Sequence, residues 1–380
     1  MTAPICVVGA TGATGRRVAR AVGAAGLPVV VAGRDRARLA AVAAEVGGLS
    51  LAEVRTADVD RPASLDAALD GAGAVVNCVG PFGRLGFPVA EAAVRSGVHY
   101  VDTSGEPVFA LRLVECLDSS ARQRGMALVP AVGGSALPGD VAAALAIADA
   151  PAGATALTLA YRIRGMRPSR GTILSEIEIT AGGAVVVEDG ALRRVPAGGA
   201  PRLLPAGWGT RMPVPDPVLV SRYCDLPSIE AYIVAPAAGL VGRAMRGGER
   251  LLARPDARAA LRRAAGRLPE TDDGRPHGEF SVQATVWGRW GARTTTASAA
   301  DVYGFTARAA AHVAAMLAGG GGAAGGGVRA ASQVLADAAD GALPDPLAVE
   351  KAAGELGIAL SSSAVAPGEP CVAAVGRRRH

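Results

Sequence analysis

The chain opens on a short apolar run, Ile5-Cys6-Val7-Val8, and comparable runs return at residues 28–32, 51–55, 74–80, 99–101 and 127–131. Between them, residues 16–25, 35–46, 88–96 and 107–124 carry the wider periodicity of helices. In the second of these Leu39, Val42 and Val46 fall on one helical face. Short apolar strands separated by helices of this length specify a parallel sheet covered on both sides. The predicted fold of residues 1–150 is therefore α/β, a doubly wound parallel Rossmann-type sheet.

The pattern changes near residue 150. Residues 155–164 alternate over their latter part, as a half-buried strand does, and a helix is expected from Ser169 to about Thr180. Residues 184–188, the turn Asp189-Gly190 and residues 191–195 read as a hairpin. Further strands are expected at 228–234 and 280–290, the latter returning through a turn at 289–292 into 293–298. These elements predict an α+β domain over 151–300 built on a mostly antiparallel sheet. Residues 240–267 are basic and partly helical, and 303–317 form an alanine-rich helix with Thr306 as its expected cap. Residues 319–380 should hold a glycine-rich loop at 319–327, a helical segment and a flexible tail over about the last fifteen residues.

The chemistry begins at the first turn. Gly9-Ala10-Thr11-Gly12-Ala13-Thr14-Gly15 joins a buried strand to a helix, as a dinucleotide-binding turn does. Gly9 suits the tight turn, Gly12 lets backbone approach a pyrophosphate, and Gly15 lets the helix pack on the strand with its N-terminal amides toward the anion. A steric turn alone would use similar glycines, but the second strand follows about twenty residues later, as the motif requires. That strand ends in Gly33-Arg34-Asp35-Arg36 rather than in a lone acid. Arg34 there suits a 2′-phosphate and so NADP, although Asp35 could take a ribose hydroxyl and Arg34 and Arg36 could simply be solvated. In the next loop Asp58 and Val59 lie where an adenine would, whereas Asp60 reads as a cap ahead of Pro62. The strand ending at Val79 lies beside the first in such a sheet, which puts Val79, Gly80 and Pro81 along the cofactor crevice.

Composition narrows the class. The 380 residues carry a net charge of +5 spread over many arginines, with 3% aromatics, which gives nucleic-acid binding almost no support. Apolar content is 50%, but alanine, glycine and proline leave no uninterrupted membrane-spanning stretch. The nucleotide fold starts by residue 5, leaving no room for a signal peptide, so a cytoplasmic protein is expected. The five cysteines, Cys6, Cys78, Cys116, Cys224 and Cys371, form no C-x-x-C pair and indicate neither a disulfide framework nor a metal. Lys351 is the single lysine and lies far from any motif, which argues against Schiff-base chemistry and against a Tyr-x-x-x-Lys carbonyl reductase.

In order, the chain carries G-A-T-G-A-T-G, A-G-R-D, N-C-V-G-P-F-G-R-L-G-F-P-V, G-V-H-Y-V-D-T-S-G-E and G-G-S-A-L-P-G-D. This series resembles the saccharopine dehydrogenase-like oxidoreductases, and within them the branch that includes trans-acting enoyl reductases. The resemblance covers about the first 150 residues, and is looser at Ser169-Arg170-Gly171-Thr172 and at Asp301-Val302-Tyr303-Gly304-Phe305-Thr306-Ala307. It implies NADP-linked hydride transfer, with the nicotinamide near Cys78, Val79, Gly80, Pro81 and Phe82 and near the end of the strand reaching Asp102. It also implies that the helix at about 303–318 packs back on the nucleotide domain, making 151–300 an insertion. Where that branch carries G-F-D-S-x-P-x-D, this chain has Gly134, Ser135 and Ala136 in place of Phe, Asp and Ser.

Hydride transfer usually needs a proton donor near the atom that becomes negative. Tyr100, Asp102, Ser104, Glu106 and Ser135 are the candidates, each with a structural alternative: Tyr100 as a core aromatic, Asp102 as a turn cap. Arg164, Arg167 and Arg170 could hold a carboxylate, a phosphopantetheine or an acyl-carrier surface, or remain solvated. Three functions fit: reduction of a conjugated alkene on a polyketide or lipid-like intermediate, free or carrier-bound; reduction of an imine or carbonyl; and non-catalytic NADP sensing. A homodimer through the second sheet is expected, because exposed antiparallel edges need covering.

Overall fold

The computed structural model describes residues 3–46, 52–134, 136–269, 275–321 and 325–365. Ile5–Val8 (β1), Val29–Gly33 (β2), Ala52–Thr56 (β3), Ala74–Asn77 (β4), His99–Asp102 (β5) and Ala127–Val129 (β6) alternate with helices. A second series follows: Ala154–Arg164 (β7), Ala184–Glu188 (β8), Ala191–Val195 (β9), Arg202–Leu204 (β10), Gly207–Arg211 (β11), Ser228–Val234 (β12), Glu279–Gly288 (β13) and Gly291–Ala300 (β14). Gly327–Val328 (β15) and Ala359–Val365 (β16) come last.

The first sheet is parallel throughout, with spatial order β15-β6-β5-β4-β1-β2-β3. The strand order reverses direction between β1 and β4, so a crevice opens at their carboxyl ends. The second sheet runs β10-β11-β12-β7-β13-β14-β16, with the β8–β9 hairpin attached to β12. It is mostly antiparallel, as expected, with one parallel pair, β7 and β12. That pair is possible because the long intervening segment supplies the crossover that parallel strands need.

Several elements differ from the sequence pattern. Strands β10 and β11 are short and leave Leu203 and Trp208 exposed, so no inward-outward alternation marked them. Within 319–380 two strands appear where none was expected. Strand β15 adds to the first sheet, and β16, built of small residues, pairs with β14. Thr306 is not the cap of helix Val302–Ala318. Asp301 is, accepting the Gly304 amide, while the Thr306 hydroxyl donates to the Val302 carbonyl one turn in. Asp60 caps nothing: the helix Pro62–Leu69 starts from Arg61 without a side-chain bond. Leu51, residues 322–324 of the glycine-rich loop, Cys371 and the expected flexible tail at 366–380 lie outside the described residues.

One apolar cluster spans both sheets. Helix Val302–Ala318 packs on helix Ala13–Ala24, β4 and β5, and helix Leu137–Ala148 packs on β13 and β14. Ile5, Val141, Leu157, Val282 and Ala314 belong to this common core. Polar groups buried within it are paired with care. The Asp140 carboxylate accepts from the Tyr223 hydroxyl (2.9 Å), the Ser332 hydroxyl (2.8 Å) and the Ser332 amide (2.7 Å). Nearby, the Tyr161 hydroxyl donates to Asp216 Oδ1 at 2.5 Å, and Asp216 Oδ2 has no partner among the described residues.

Burial, with the Asp140 charge as a lesser cause, pushes the Asp216 carboxyl up to about 8. The folded chain thus holds this proton more tightly than the unfolded chain. Its contribution to stability is complete below the ordinary carboxylate range, declines as pH rises, and is lost once pH passes about 8. Asp216→Asn keeps the acceptor for Tyr161 and cannot ionise. Wild-type melting temperature should fall between pH 5 and pH 8.5, and the variant should flatten that fall by about half or more. Parallel thermal melts across this range check it; superimposable profiles would place the titrating group elsewhere.

Candidate active site

The chain leaves β1 through Gly9, whose φ of +85° side-chain-bearing residues rarely adopt. A Cβ on Gly15 would lie 2.2 Å from the Gly9 carbonyl oxygen, so helix Ala13–Ala24 sits this close to the strand only because residue 15 has no side chain. Gly12 is different. It is exposed, and nothing lies nearer to its missing Cβ than the Gly9 carbonyl oxygen at 3.4 Å. Packing does not demand glycine there, whereas close approach of a ligand does. The helix starts beside Thr11, Ala13 and Thr14 with no capping side chain and no acidic residue in its first turn, which leaves its positive end for an anion.

At the end of β2, Arg34 is exposed and has no hydrogen bond or ion pair among the described residues. Asp35 is occupied: its Oδ1 accepts the Arg38 amide at 3.0 Å and caps the next helix. Arg38 in turn donates to the Thr11 carbonyl at 3.2 Å. The sequence reading missed Arg38, although its place in the first turn after Arg34 was a usable signal. The edge therefore presents two guanidiniums beside Gly33, and its acid is spent on a helix start. The Ala57 amide donates to the Gly33 carbonyl, which brings Asp58 and Val59 to the same edge. Asp58 Oδ1 accepts the Asp60 amide at 3.1 Å, and Val59 packs on the core beneath.

Sheet register sets Asn77 beside both Val8 and Asp102. The Cys78 amide donates to the Val8 carbonyl, and Val79 Cγ2 stands 2.9 Å from where a Gly9 Cβ would be, so the β1 and β4 turns touch. Beyond Gly80 and Pro81 the chain forms a one-turn helix, Phe82–Leu85, which the sequence did not announce. Its first amides, Phe82 and Gly83, donate to Glu106 Oε1 and Oε2 at 2.8 and 2.7 Å. Burial raises the pKa of Glu106 and these amides oppose the rise. Above this loop lies helix Arg170–Gly182: Ser175 Oγ is 3.3 Å from the Cβ position of Gly80. That helix is anchored at its start. The Ser169 amide donates to the Tyr303 hydroxyl at 2.8 Å, and Thr172 Oγ1 lies 2.7 Å from the same oxygen.

Beneath the loop is a buried polar floor. Asn77 Nδ2 donates to the Tyr100 hydroxyl at 3.0 Å, and Asn77 Oδ1 accepts the Val79 amide. Asp102 Oδ1 accepts the amides of Ser104 and Ala131, each at 2.8 Å. Asp102 Oδ2 and Ser104 Oγ, both buried, have no partner among the described residues. Burial raises the pKa of Asp102, and burial together with the Asp102 charge raises Tyr100 well above the usual phenol. The Cys78 thiol is pushed up to about 12 by burial. Of the five candidate donors the structure brings Tyr100, Asp102 and Ser104 together, and commits both oxygens of Glu106 to backbone. Ser135 lies outside the described residues. Asn77, which orders the floor, was read from the sequence only as strand.

Residues 5–129 match the family model described as the saccharopine dehydrogenase NADP binding domain. A Mycobacterium tuberculosis protein provisionally named a trans-acting enoyl reductase is 33% identical over 140 residues, 36% of this chain and 33% of that protein. The saccharopine dehydrogenase-like oxidoreductase of Bos taurus is 32% identical over 152 residues, 36% of this chain and 35% of that protein. The chain thus matches about a third of the length of these curated relatives. Among solved structures, apo saccharopine dehydrogenase (L-Glu forming) of Saccharomyces cerevisiae covers 96% of this chain and 100% of its own at a TM-score of 0.57 and 14% identity, a likeness of fold. NADP, expected from the sequence, is the cofactor that the matched domain binds. Among the described residues no helix is long and apolar enough to cross a membrane.

Gly12→Val should leave the protein folded and weaken NADPH binding by about a hundredfold or more, since the side chain fills space that only a bound pyrophosphate contests. Arg34→Ala should reduce the preference for NADPH over NADH about tenfold, as loss of a charge-assisted bond does. Fluorescence titration of both cofactors measures each. Normal NADPH binding by Gly12→Val would make the turn purely structural, and an unchanged preference in Arg34→Ala would pass the role to Arg38.

Proposed function

We propose that this chain, whose residues 5–129 form an NADP-binding domain of the saccharopine dehydrogenase family, is an NADPH-dependent reductase acting on a polarised double bond, with a conjugated alkene as its substrate. The observation that carries the reading is Asp102: a fully buried carboxyl at the carboxyl end of the strand beside the cofactor turn, with one oxygen engaged twice and the other unused. Bound NADPH supplies the hydride. The chain supplies the rest: Gly12 and the open end of helix Ala13–Ala24 receive the pyrophosphate, Arg34 and Arg38 the 2′-phosphate, and helix Arg170–Gly182 covers the crevice against water.

Asp102 and Ser104 are the proton-handling pair. A carboxyl whose pKa is raised by burial carries a proton further toward neutral pH, and Ser104 Oγ can pass it on. Tyr100 holds its proton too tightly for this task and acts with Asn77 to order the floor. Glu106 is a positioning group that fixes the Phe82–Gly83 amides. The alkene assignment draws on the name of the mycobacterial relative. One wall differs from that branch: a Cβ at Gly134 would lie 2.7 Å from Val302 Cγ1 and 3.1 Å from Phe280, so no phenylalanine fits there in this packing.

Loss of NADPH absorbance with enoyl thioesters, enones, imines and ketones tests the reading; turnover of none of these classes would refute it. Asp102→Asn keeps the Oδ1 acceptor and should lower turnover about a hundredfold while leaving NADPH affinity and melting temperature unchanged. Full turnover in that variant would remove Asp102 from proton transfer.

A further inference from the structure

Beside the floor, a cavity of about 390 Å³ opens between the one-turn helix Phe82–Leu85, the start of helix Pro107–Gln123, helix Arg170–Gly182 and helix Pro255–Gly266. Its wall carries four guanidiniums, Arg84, Arg112, Arg258 and Arg262, against two carboxylates, Glu106 and Glu178. Both carboxylates are already engaged. Glu106 is held by backbone amides, and Glu178 is bracketed by Arg262 at 3.0 Å and Arg258 at 3.8 Å. Arg84 and Arg112, by contrast, meet no carboxylate among the described residues. Arg112 Cζ lies over the Phe87 ring, 3.6 Å from its centroid, and the Arg112 N–H donors meet no hydrogen-bond partner among the described residues. Arg258 Nε is buried with no hydrogen-bond partner among the described residues.

An excess of preorganised guanidinium donors in a recess of small-molecule size is suited to planar or tetrahedral oxyanions, which arginine grips through paired N–H bonds. Arg258 and Arg262 are partly buried in the cavity wall, and Arg84 and Arg112 stand exposed at its mouth. We infer that the cavity binds the oxyanion, phosphate or carboxylate, of a small molecule. The site is distinct from the 2′-phosphate edge at Arg34, which lies on the other side of the glycine turn at the end of β2. Gly83, in the loop after β4, and Glu106, which accepts its amide from the start of helix Pro107–Gln123, both belong to the cavity wall, so the oxyanion is held beside the reacting centre. That the bound molecule is the substrate rests on the reductase reading; binding itself does not.

Calorimetric titration of the full chain, saturated with NADP⁺ so that the cofactor site is filled, uses orthophosphate in one arm and succinate in the other. Binding in either arm, weakened about a hundredfold in the Arg84→Ala/Arg112→Ala double variant, is the expected result, since each charge-assisted contact accounts for about tenfold. Glu178→Gln, which releases Arg258 and Arg262, should tighten binding about threefold, in line with removal of a like charge from the site. The arm that gives heat identifies the oxyanion. Absence of heat in both arms, or equal affinity in the double variant, overturns the site. Oxyanion binding without turnover of any double-bond class would keep the site and remove the reductase reading. Equal kcat/KM of wild type and double variant on an acidic enone would keep the reductase and remove the substrate from the cavity.

Discussion

Everything above the cofactor turn depends on how closely one alanine-faced helix approaches its neighbours. Helix Val302–Ala318 buries Ala307, Ala309, Ala310, Ala311 and Ala314, and it lies on helix Ala13–Ala24 and on β4 and β5. The approach is so near that facing positions carry no side chain. A Cβ on Gly73 would stand 3.0 Å from that of Ala318, and one on Gly134 2.7 Å from Val302 Cγ1. At its other end Phe305 meets Phe280 of the second sheet edge to face, with ring centroids 5.8 Å apart. A larger residue on this face would overpack it and displace the second sheet from the strand ends, because interiors of this density have little room to yield. The low aromatic content thus has a structural meaning: thin layers, held by many small contacts, set the position of the cleft roof.

The same close packing buries four carboxyls, Asp102, Glu106, Asp140 and Asp216, and burial raises the pKa of each. What separates them is how their oxygens are used. Both oxygens of Asp140 and of Glu106 are engaged, and each joins pieces of chain far apart in sequence. Asp102 and Asp216 each keep one oxygen unused. Asp216 is packed against Gly139 inside the shared core, where its Oδ1, the oxygen bonded to Tyr161, would lie 2.0 Å from a Cβ. Asp102 stands at the end of a central strand beside the Gly9–Val79 contact. Position in the fold, rather than acidity, separates the two.

The parallel sheet and its cofactor turn were legible in the sequence because both rest on local rules: apolar runs of strand length, helical spacing, and glycines at the points of closest approach. Element ends shifted by three residues at most. The second sheet was legible where alternation was strong, as in β13, and was lost where strands were short or built of small residues, as in β10 and β16; the two-residue β15 at the edge of the first sheet was missed for the same reason. At the candidate site, Tyr100, Asp102 and Ser104 stood out in the sequence because they lie at or just past the end of a central strand. Arg38 and Asn77 were missed because their roles arise from pairing across the turn and across strands. Arginine clustering along the chain was the least reliable signal. Arg164, Arg167 and Arg170 do not line the cavity, and Arg170 turns to the Leu268 carbonyl, whereas the four arginines that do line it come from three separate elements.

Two segments that looked like isolated motifs acquire one purpose from this arrangement. Ser169 and Thr172 meet the hydroxyl of Tyr303, more than a hundred residues further on, which joins the start of helix Arg170–Gly182 to the helix that covers the cofactor sheet. The middle of that helix rests on Gly80 through Ser175, and three residues on, on the same side, Glu178 reaches the arginine-lined cavity. One rigid element therefore contacts the loop beside the cofactor turn, the core helix and the oxyanion cavity at once. The Arg258 and Arg262 pairs that hold Glu178 also tie helix Pro255–Gly266 to the same element, and the Tyr303 contact fixes its start.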